Sequence, residues 1–528
     1  MAALVAAALL ASTPAANAGR PRKAPPKRQR FDQLQRQMRR RPETIAPGAR
    51  RSRIVVPSLS LDPRELAKIT GARHYEERQL YEVFGLRDPK LRLVYTSSTP
   101  IDRDVVNYYL GLLPASQQKS ARKRLQFVTA DDAAVTPLSE KILTRPELRR
   151  EVKRASGRKG RGRHVHPFVS SGLERDLSAS LGAGMLGTDP ALARWGGKSG
   201  GRELFEVAGV SHPDGARDLM DHHQVVAAIS DLVARRPAIQ RVVVKLNDGF
   251  SGEGNAILDL RATRGLGKLP AAERRKRIAA LLPGLEFTAP TERWPTFRKS
   301  IGEMGAIVEE FIEGDVKESP SVQGFIHPDG RVEILSTHEQ ILGGPGNQVY
   351  LGARFPANEP YRAELQRIGR AVGKQLAAKG AMGRFAVDTI ATPRPGSARW
   401  DLHAIEINLR QGGTTHPYET TRLLTGATLD EATGYLVTKK GQPKFYVATD
   451  NVKLDGLVGL TPGELLRRAK RAGLRYEQLA QRGPVFHLLG AVTEHGKLGF
   501  TAIGDTPAEA QAIYDHTMKA LEAIAAGE

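Results

Sequence analysis

The stretch Leu402-His403-Ala404-Ile405-Glu406-Ile407-Asn408-Leu409-Arg410 decides the fold of this chain. Its alternation predicts a β-strand, in which every second side chain lies on one face. Glu406, Asn408 and Arg410 are therefore expected to point the same way. A carboxylate and an amide carbonyl two positions apart suit Mg²⁺, which takes one or two oxygen ligands from protein when phosphate supplies others. The cation Arg410 indicates that phosphate is present.

A second alternating segment lies just upstream. Residues 383–390 (GRFAVDTI) place Asp388 on the face opposite Phe385 and Val387, and the turn-rich segment TPRPGSAR that follows predicts a hairpin. Asp388 is then expected to face Glu406 across the hairpin. A solvated sheet surface that binds nothing is the plain alternative for these polar residues.

The order Asp388, then Glu406-x-Asn408-x-Arg410, resembles the C-terminal signature of the ATP-grasp ligases. In that family the corresponding Asp, Glu and Asn hold the Mg²⁺ that bridges the ATP phosphates. The resemblance implies that Asp388, Glu406 and Asn408 are metal ligands and that Arg410 is catalytic.

A glycine-rich loop follows the apolar run Val242–Val244. Glycines let backbone amides approach anionic oxygens, and Lys245 at the end of the run adds positive charge. The loop lacks GxxxxGK[ST], so it is not a P-loop, and a mobile hairpin tip is the alternative. The resemblance implies a flap over the triphosphate, formed by Lys245, Gly249, Ser251, Gly252 and Gly254.

The resemblance also implies further nucleotide contacts. Lys198 is the expected phosphate-binding lysine, with Arg202 as the second candidate, although a lone lysine is usually solvated. An exposed acidic turn is the alternative for the ribose candidates, Glu318 first and Asp315 second. The segment expected to contact the adenine at a hinge comprises Glu309, Glu310, Phe311 and Ile312.

The segment after Arg410 offers donors for a reacting group. Gly412-Gly413-Thr414-Thr415 carries backbone amides and hydroxyls suited to a substrate carboxylate or an acyl phosphate. His416 is a candidate base, or a purely structural residue beside Pro417.

Composition excludes several classes of protein. The 528 residues contain no cysteine, so disulfides, thiolate nucleophiles and cysteine-bound metals are excluded. The formal net charge of +22 is concentrated near the N-terminus, which predicts a disordered basic tail and nonspecific contact with polyanions. Residues 2–11 are apolar and resemble a secretory signal, yet no Lys or Arg precedes them and they are too short to span a membrane. An ATP-using enzyme is expected in the cytoplasm, with export as the alternative.

Strands and helices alternate from Arg51 onward, which predicts a parallel sheet. Leu365, Ile368, Val372 and Leu376 recur at helical spacing and predict a core-facing helix, and residues 485–492 are predicted to form a strand. The basic segment Arg149 to Arg163 is predicted to be an exposed loop. The predicted fold class is α/β and α+β, and the resemblance implies an ATP-grasp fold with an N-terminal Rossmann-like pre-ATP-grasp domain and a small C-terminal α+β domain. The predicted domains are a tail or signal-like segment (1–50), the pre-ATP-grasp domain (51–190), the ATP-grasp region (191–440) and the C-terminal domain (441–528).

From Arg51 to the C-terminus the chain resembles ATP-grasp peptide ligases of the pheganomycin-biosynthesis kind. The resemblance implies an ATP- and Mg²⁺-dependent carboxylate–amine ligase that forms an acyl phosphate and releases ADP and phosphate, acting on small-molecule or peptide substrates. A phosphotransferase acting on a hydroxyl is the alternative. A noncatalytic nucleic-acid-binding protein is a third hypothesis, but basic residues interleaved with aromatic ones are missing.

Overall fold

The computed structural model describes residues 26–60, 66, 69–157, 162–248, 254–263, 265–343 and 349–527. The chain divides into two compact units. Among the described residues, the smaller comprises Pro213–Ile312 with residues 26–29, and the larger comprises Arg30–His212 and the residues from Glu313 onward. The boundary after Ile312 coincides with the end of the segment predicted to be a hinge.

Helix α1 (Pro26–Arg40) shows that the prediction of a disordered tail over residues 1–50 is wrong for its second half. Phe31, Gln35 and Met38 recur at helical spacing on one face, and all three are buried. The Gln35 amide exchanges two hydrogen bonds with the backbone of Met185, at 2.9 and 3.0 Å. Residues 1–25 lie outside the described residues.

The N-terminal part of the larger unit is a parallel sheet, as predicted. Its strands are ordered β3-β2-β1-β4-β5. Both faces of this sheet are covered, since alternate residues of β1 belong to two different apolar clusters. The strands are β1 (Arg51–Val56), β2 (Leu91–Ser97), β3 (Leu125–Thr129), β4 (Arg163–Pro167) and β5 (Gly184–Met185). The helices are α2 (Arg103–Gly111), α3 (Ala115–Arg124), α4 (Leu138–Thr144), α5 (Pro146–Ala155), α6 (Gly172–Leu181) and α7 (Lys198–Ala208), with a 3₁₀ run over Ala72–Arg87.

The segment 149–163 is not the loop that its basic composition predicted. Residues up to Ala155 belong to α5, Arg163 begins β4, and residues 158–161 lie outside the described residues. Leu148 and Val152 lie four residues apart on α5 and are both buried. Two apolar side chains at this spacing fix the helix against the core despite its many charges.

The smaller unit is built on an antiparallel sheet of order β6-β10-β7-β8-β9. Helices on this sheet contribute Val225, Ile278 and Phe297 to one apolar cluster with the strands. The elements are β6 (Gly215–Leu219), α8 (His222–Arg235), β7 (Arg241–Leu246), β8 (Asn255–Asp259), α9 (Ala271–Leu281), β9 (Glu286–Phe287), α10 (Trp294–Met304) and β10 (Ala306–Glu310).

The rest of the larger unit surrounds one long sheet of order β15-β14-β11-β12-β13-β18-β17-β16, with β20 pairing both β18 and β19. The predicted apolar stripe Leu365, Ile368, Val372 and Leu376 is buried on α11, as expected. The strands are β11 (Pro320–Ile326), β12 (Val332–Gly343), β13 (Val349–Phe355), β14 (Gly383–Pro393), β15 (Trp400–Asn408), β16 (Thr428–Asp430), β17 (Tyr435–Val437), β18 (Pro443–Lys453), β19 (Gly483–His487) and β20 (Lys497–Gly504). The helices are α11 (Glu359–Ala378), α12 (Thr415–Thr425), α13 (Pro462–Arg471), α14 (Val492–His495) and α15 (Pro507–Ala526).

The C-terminal region shares this sheet, because β18 pairs with β13 on one side and β20 on the other. The predicted strand over 485–492 is shorter than expected. It ends at His487 because Leu488 adopts a left-handed conformation with φ of 56°. Among the residues that the structure describes, no helix is long and apolar enough to cross a membrane.

Candidate active site

The site is organised by the hairpin of β14 and β15. Asp388 pairs with Glu406, and Ala386 pairs with Asn408, so the predicted pairing across the hairpin is confirmed. Phe385 and Val387 are buried on the opposite face, as their alternation predicted. The register therefore brings two carboxylates and one amide to a single face of the sheet.

Hydrogen bonds from neighbouring strands orient Asp388. Its Oδ2 accepts a bond of 2.9 Å from Asn408 Nδ2, and its Oδ1 accepts bonds from Ser321 Oγ at 2.6 Å and Gln340 Nε2 at 3.1 Å. Ser321 and Gln340 were missed in the sequence, since β11 and β12 lie far from Asp388 along the chain. No local pattern links either residue to Asp388, because the strand pairing that brings them together joins distant segments.

The environment of Asp388 also changes its acidity. Burial, followed by repulsion from Glu406, raises the pKa of Asp388 to about 6, while Ser321, Arg410 and Lys198 act in the opposite direction. Two carboxylates at adjacent positions disfavour each other's charge, so a cation placed with them is stabilised.

Lys198 is brought to the hairpin by α7, of which it is the first residue. Its Nζ forms an ion pair with Glu406 Oε1. The lysine expected to bind phosphate thus contacts a carboxylate expected to bind metal. The second candidate, Arg202, is buried on the same helix and approaches Glu206 at 3.8 Å.

The segment after β15 is held by buried polar contacts. Gln411 Oε1 accepts from Tyr81 at 2.7 Å, and Gln411 Nε2 donates to the Pro167 carbonyl at 2.9 Å. Arg410 donates to the Gln411 carbonyl at 3.2 Å. His416 is buried with its Nε2 3.0 Å from that of His487, and burial keeps the pKa of His416 well below its usual value. This contact favours the structural interpretation of His416.

The candidates of the smaller unit form their own polar cluster. Lys245 Nζ pairs with Glu309 Oε2 at 2.7 Å, from the neighbouring strands β7 and β10. Glu310 pairs with Arg236 at 2.8 Å, and the Arg241 guanidinium lies 3.9 Å from the centroid of the Phe311 ring.

The glycine-rich loop is described only at its end. Gly249, Ser251 and Gly252 lie outside the described residues, whereas Gly254 accepts a backbone bond from Leu246 at 2.8 Å, with φ of 88°. This bond continues the pairing of β7 with β8 up to the end of the loop.

The ribose candidates lie in the larger unit. Glu318 forms a backbone bridge with Ala391 of β14, with bonds of 2.9 and 3.0 Å, and Asp315 is exposed. Their roles, and that of Ile312, stay predictions.

The donor set of the hairpin fits Mg²⁺. Asp388 and Glu406 supply carboxylate oxygens, and the Asn408 amide nitrogen bonds Asp388, which leaves its carbonyl oxygen for another partner. No cluster of three or more His, Asp or Glu suited to a metal occurs within the described ranges. Two carboxylates and an amide suit an ion that shares its coordination with phosphate.

Comparison with known proteins identifies the fold. The family described as IQCH-like, ATP-grasp matches residues 190–280 and 286–432, and the family described as PGM1 C-terminal domain matches residues 464–517. The structure of a biotin carboxylase–β-γ-ATP complex from Campylobacter jejuni matches with a TM-score of 0.50 at 14% identity, covering 90% of this chain and 95% of that one. The predicted ATP-grasp fold is confirmed.

Sequence relatives place the chain more narrowly. The L-propargylglycine--L-glutamate ligase of Streptantibioticus cattleyicolor is 32% identical over 482 residues, which cover 90% of this chain and 94% of that protein. IQ motif-containing protein H of Danio rerio is 22% identical over 485 residues, covering 84% of this chain and 45% of that protein. The chain belongs to the ATP-grasp ligases, and it is an enzyme.

Proposed function

We propose that this protein joins a carboxylic acid to an amine at the expense of ATP, with release of ADP and phosphate. The observation that carries the proposal is the single face of the β14–β15 hairpin that holds Asp388, Glu406 and Asn408, followed by Arg410. The 32% identity to a ligase named for two amino acids supports peptide-like substrates.

The reaction has two balanced steps. A carboxylate oxygen of the acid attacks the γ-phosphorus of ATP, the bond to the bridging oxygen breaks, and ADP leaves. The amine nitrogen then attacks the acyl carbon, the carbon–oxygen bond to phosphate breaks, and the nitrogen releases a proton. The first step is needed because a free carboxylate is a poor acylating agent.

We assign the residues of the larger unit to the reacting end of ATP. Asp388, Glu406 and Asn408 would hold Mg²⁺, which when bound neutralises charge on the transferring phosphoryl group. Arg410 stabilises negative charge on the acyl phosphate, and the Gly412–Thr415 segment offers it donors. Lys198 exchanges its contact with Glu406 for a phosphate oxygen. Glu318 is the acidic residue proposed to bind the ribose of ATP.

In the smaller unit, Lys245 is proposed to bind phosphate together with Gly249, Ser251, Gly252 and Gly254. The four residues Glu309 to Ile312 are proposed to contact adenine. A loop that closes over the reactants excludes water, which would otherwise hydrolyse the acyl phosphate.

Two predictions about the cellular context are retained as proposals. Cytoplasmic localisation is one, since ATP is the cosubstrate. The other is salt-dependent contact with polyanions, for which α1 offers the exposed side chains of Arg30, Arg36 and Arg40.

The test is interception of the activated acid by hydroxylamine. Carboxylic acids, including the common amino acids, are screened for ADP release with ATP, Mg²⁺ and hydroxylamine. The expected products are a hydroxamate, ADP and phosphate. Arg410→Ala should lower the rate by about a hundredfold or more, which is the scale of one strong electrostatic stabiliser.

Arg394→Ala is the matched control, since Arg394 pairs with Asp401 at the far end of the same hairpin and is exposed. It should leave the rate unchanged. A phosphorylated alcohol would establish the phosphotransferase alternative instead, and AMP with pyrophosphate would rule out the acyl phosphate.

A further inference from the structure

A cleft in the larger unit is lined by Arg410 and by residues that are not among the proposed metal ligands. The space between its walls is about 260 Å³, a figure that includes open solvent, so the cleft is open and not an enclosed cavity. Its polar lining includes His166, Ser170, Thr188, Arg384 and Arg410, and its walls include Phe325 and Leu409. Apart from Arg410, the sequence singled out none of these residues.

The topology explains why these residues meet. His166 belongs to β4 and Ser170 follows it, while Thr188 follows β5, so one side of the cleft is the carboxyl edge of the parallel sheet. Ligands of open parallel sheets bind at this edge. Arg384 on β14 and Arg410 after β15 supply the other side.

The cleft is directly connected to the proposed reaction centre. Arg384 precedes Asp388 by four residues on β14, so both lie on one face, about 13 Å apart along the strand. Arg410 lines the cleft and follows Asn408, the last residue of β15, by two positions. The cleft and the metal-binding face are therefore neighbours.

The charges behind the cleft do not balance. Arg384 and Arg422 both pair with the buried carboxylate of Glu419, so two cations share one anion. Burial alone would raise the pKa of Glu419, but Arg422 and Arg384 outweigh it and lower the pKa to about 2. These three side chains keep one net positive charge, although Glu333 also attracts Arg422. Arg410, whose charge lowers the pKa of Asp388, adds a further cation to the lining of the cleft.

Two buried nitrogens at the cleft also lack partners. Within the part of the chain that the structure describes, Arg384 Nε and His166 Nδ1 make no hydrogen bond, and His166 is 7% exposed. Arg384 Nε always carries a hydrogen, so an anionic ligand that accepts from it relieves the cost of burying this donor unpaired. His166 Nε2 lies 3.6 Å from Glu82 Oε1, which favours the proton on Nε2 and leaves Nδ1 an acceptor for a donor group of the ligand. The Ser170 and Thr188 hydroxyls add further polar groups.

We propose that this cleft binds the non-reacting carboxylate of an α-amino-acid substrate, with Arg384 as its principal partner. A carboxylate adds negative charge to this group of cations and accepts hydrogen bonds from a guanidinium. Phe325 and Leu409 offer apolar contact beside it. The inference rests on the proposed ligase function. The carboxylate belongs either to the attacking amino acid or to an acid donor that carries a second carboxylate.

The first experiment measures binding to the full chain. The 20 common L-amino acids and their α-carboxamides are titrated calorimetrically in the presence of Mg²⁺ and a non-hydrolysable ATP analogue. At least one amino acid should bind, and its carboxamide should bind at least tenfold more weakly. If no amino acid binds, or if acid and carboxamide bind equally, the proposal is wrong.

Matched variants then locate the carboxylate. Arg384→Gln should weaken binding tenfold or more, because Glu419 keeps Arg422 while the cleft loses its cation. Arg422→Gln removes the other arginine from the same carboxylate but does not line the cleft, so binding should change less than threefold. Equal effects of the two variants would overturn the proposal. If Arg384→Gln does not fold, Ser170→Ala and Arg384→Lys are measured instead, and both should weaken amino-acid binding more than Arg422→Gln does.

Turnover assigns the carboxylate to a substrate and separates the two proposals. An amino acid that gives a hydroxamate with hydroxylamine alone is the donor, and one that needs a separate acid is the acceptor. Charge-dependent binding without ADP release would leave the cleft in place and refute the ligase. If ADP is released equally with amino acids and with their carboxamides, and Arg384→Gln leaves this release unchanged, the ligase function stands and the carboxylate-binding role of the cleft is refuted.

Discussion

Each of the two units holds a lysine paired with a glutamate, both proposed to serve the nucleotide, and the pairs differ in burial. Lys245 and Glu309 in the smaller unit have side chains 12% and 4% exposed. Lys198 and Glu406 in the larger unit are 11% and 33% exposed. The first pair joins two neighbouring strands, whereas the second joins the start of a helix to the metal-binding face.

The difference in burial predicts different roles for the two lysine–glutamate pairs. Removing one partner of a buried pair leaves an uncompensated charge in a poorly solvated site, which is strongly destabilising. A partly exposed pair contributes little to stability, because water replaces the lost partner. We therefore expect Lys245–Glu309 to hold the sheet and Lys198–Glu406 to affect chemistry.

The strongest test of the comparison is Glu309→Gln. This change leaves the Lys245 ammonium without its carboxylate partner, and the free energy of unfolding in urea should fall by about 3–5 kcal/mol. The double variant Lys245→Met with Glu309→Gln should recover much of that loss. A single variant as stable as the wild type would remove the distinction between the pairs.

Glu406→Gln should act on turnover instead. Loss of a proposed metal ligand is expected to lower the rate of ADP release by about a hundredfold or more, on the scale of one strong electrostatic stabiliser, while urea unfolding stays within about 1 kcal/mol. Asp401→Asn is the control, because Asp401 is an acid of the same strand that pairs with Arg394 far from the site. Full activity in Glu406→Gln would contradict the proposed metal face.

Glu76 sharpens the comparison because it is a buried acid held by hydrogen-bond donors. Ser98 donates to it from its backbone nitrogen and hydroxyl, at 2.6 and 2.7 Å. Burial outweighs these bonds and raises the pKa of Glu76 from 4.5 to about 7. The folded protein therefore binds more protons than the unfolded chain between these values, and its stability falls as the pH rises through this window.

Glu76→Gln removes this titration. As the pH rises from 4.5 to 7, the unfolding free energy of Glu76→Gln should increase by about 1–3 kcal/mol relative to that of the wild type. Above pH 7 this difference should stay constant. Urea unfolding across this range gives the measurement. A difference that is independent of pH would show that Glu76 is ionised throughout.

The smallest expected change in stability is that of Lys198→Met. Its unfolding free energy should stay within about 1 kcal/mol of the wild type, since Glu406 is partly solvated. The KM for ATP should nevertheless rise. Lys299→Met removes a lysine that pairs on the surface with Glu303 and should change neither quantity. A loss of stability comparable to that of Glu309→Gln would show that both pairs are structural.

The sequence was sufficient wherever one segment carried a complete pattern. Alternation in β14 and β15 fixed which residues share a face, and the turn between them brought Asp388 to Glu406. The strands from Arg51 onward and the stripe on α11 followed from the same periodicities. The basic composition of α1 and α5 predicted a disordered tail and a loop, and both predictions are wrong. A few apolar residues at helical spacing outweighed many charges in each segment.

The sequence by itself determined the hairpin, the alternation of strands and helices that begins at Arg51, and the identity of the residues proposed to bind metal and nucleotide. Only the tertiary structure decided that Ser321 and Gln340 orient Asp388, that Lys198 meets Glu406, and that Arg384 opens into a cleft. The physical reason is that these contacts join segments far apart along the chain. Periodicity reports which side chains share a face of one element, whereas partners from distant segments are chosen by sheet order, register and packing, which no local pattern encodes.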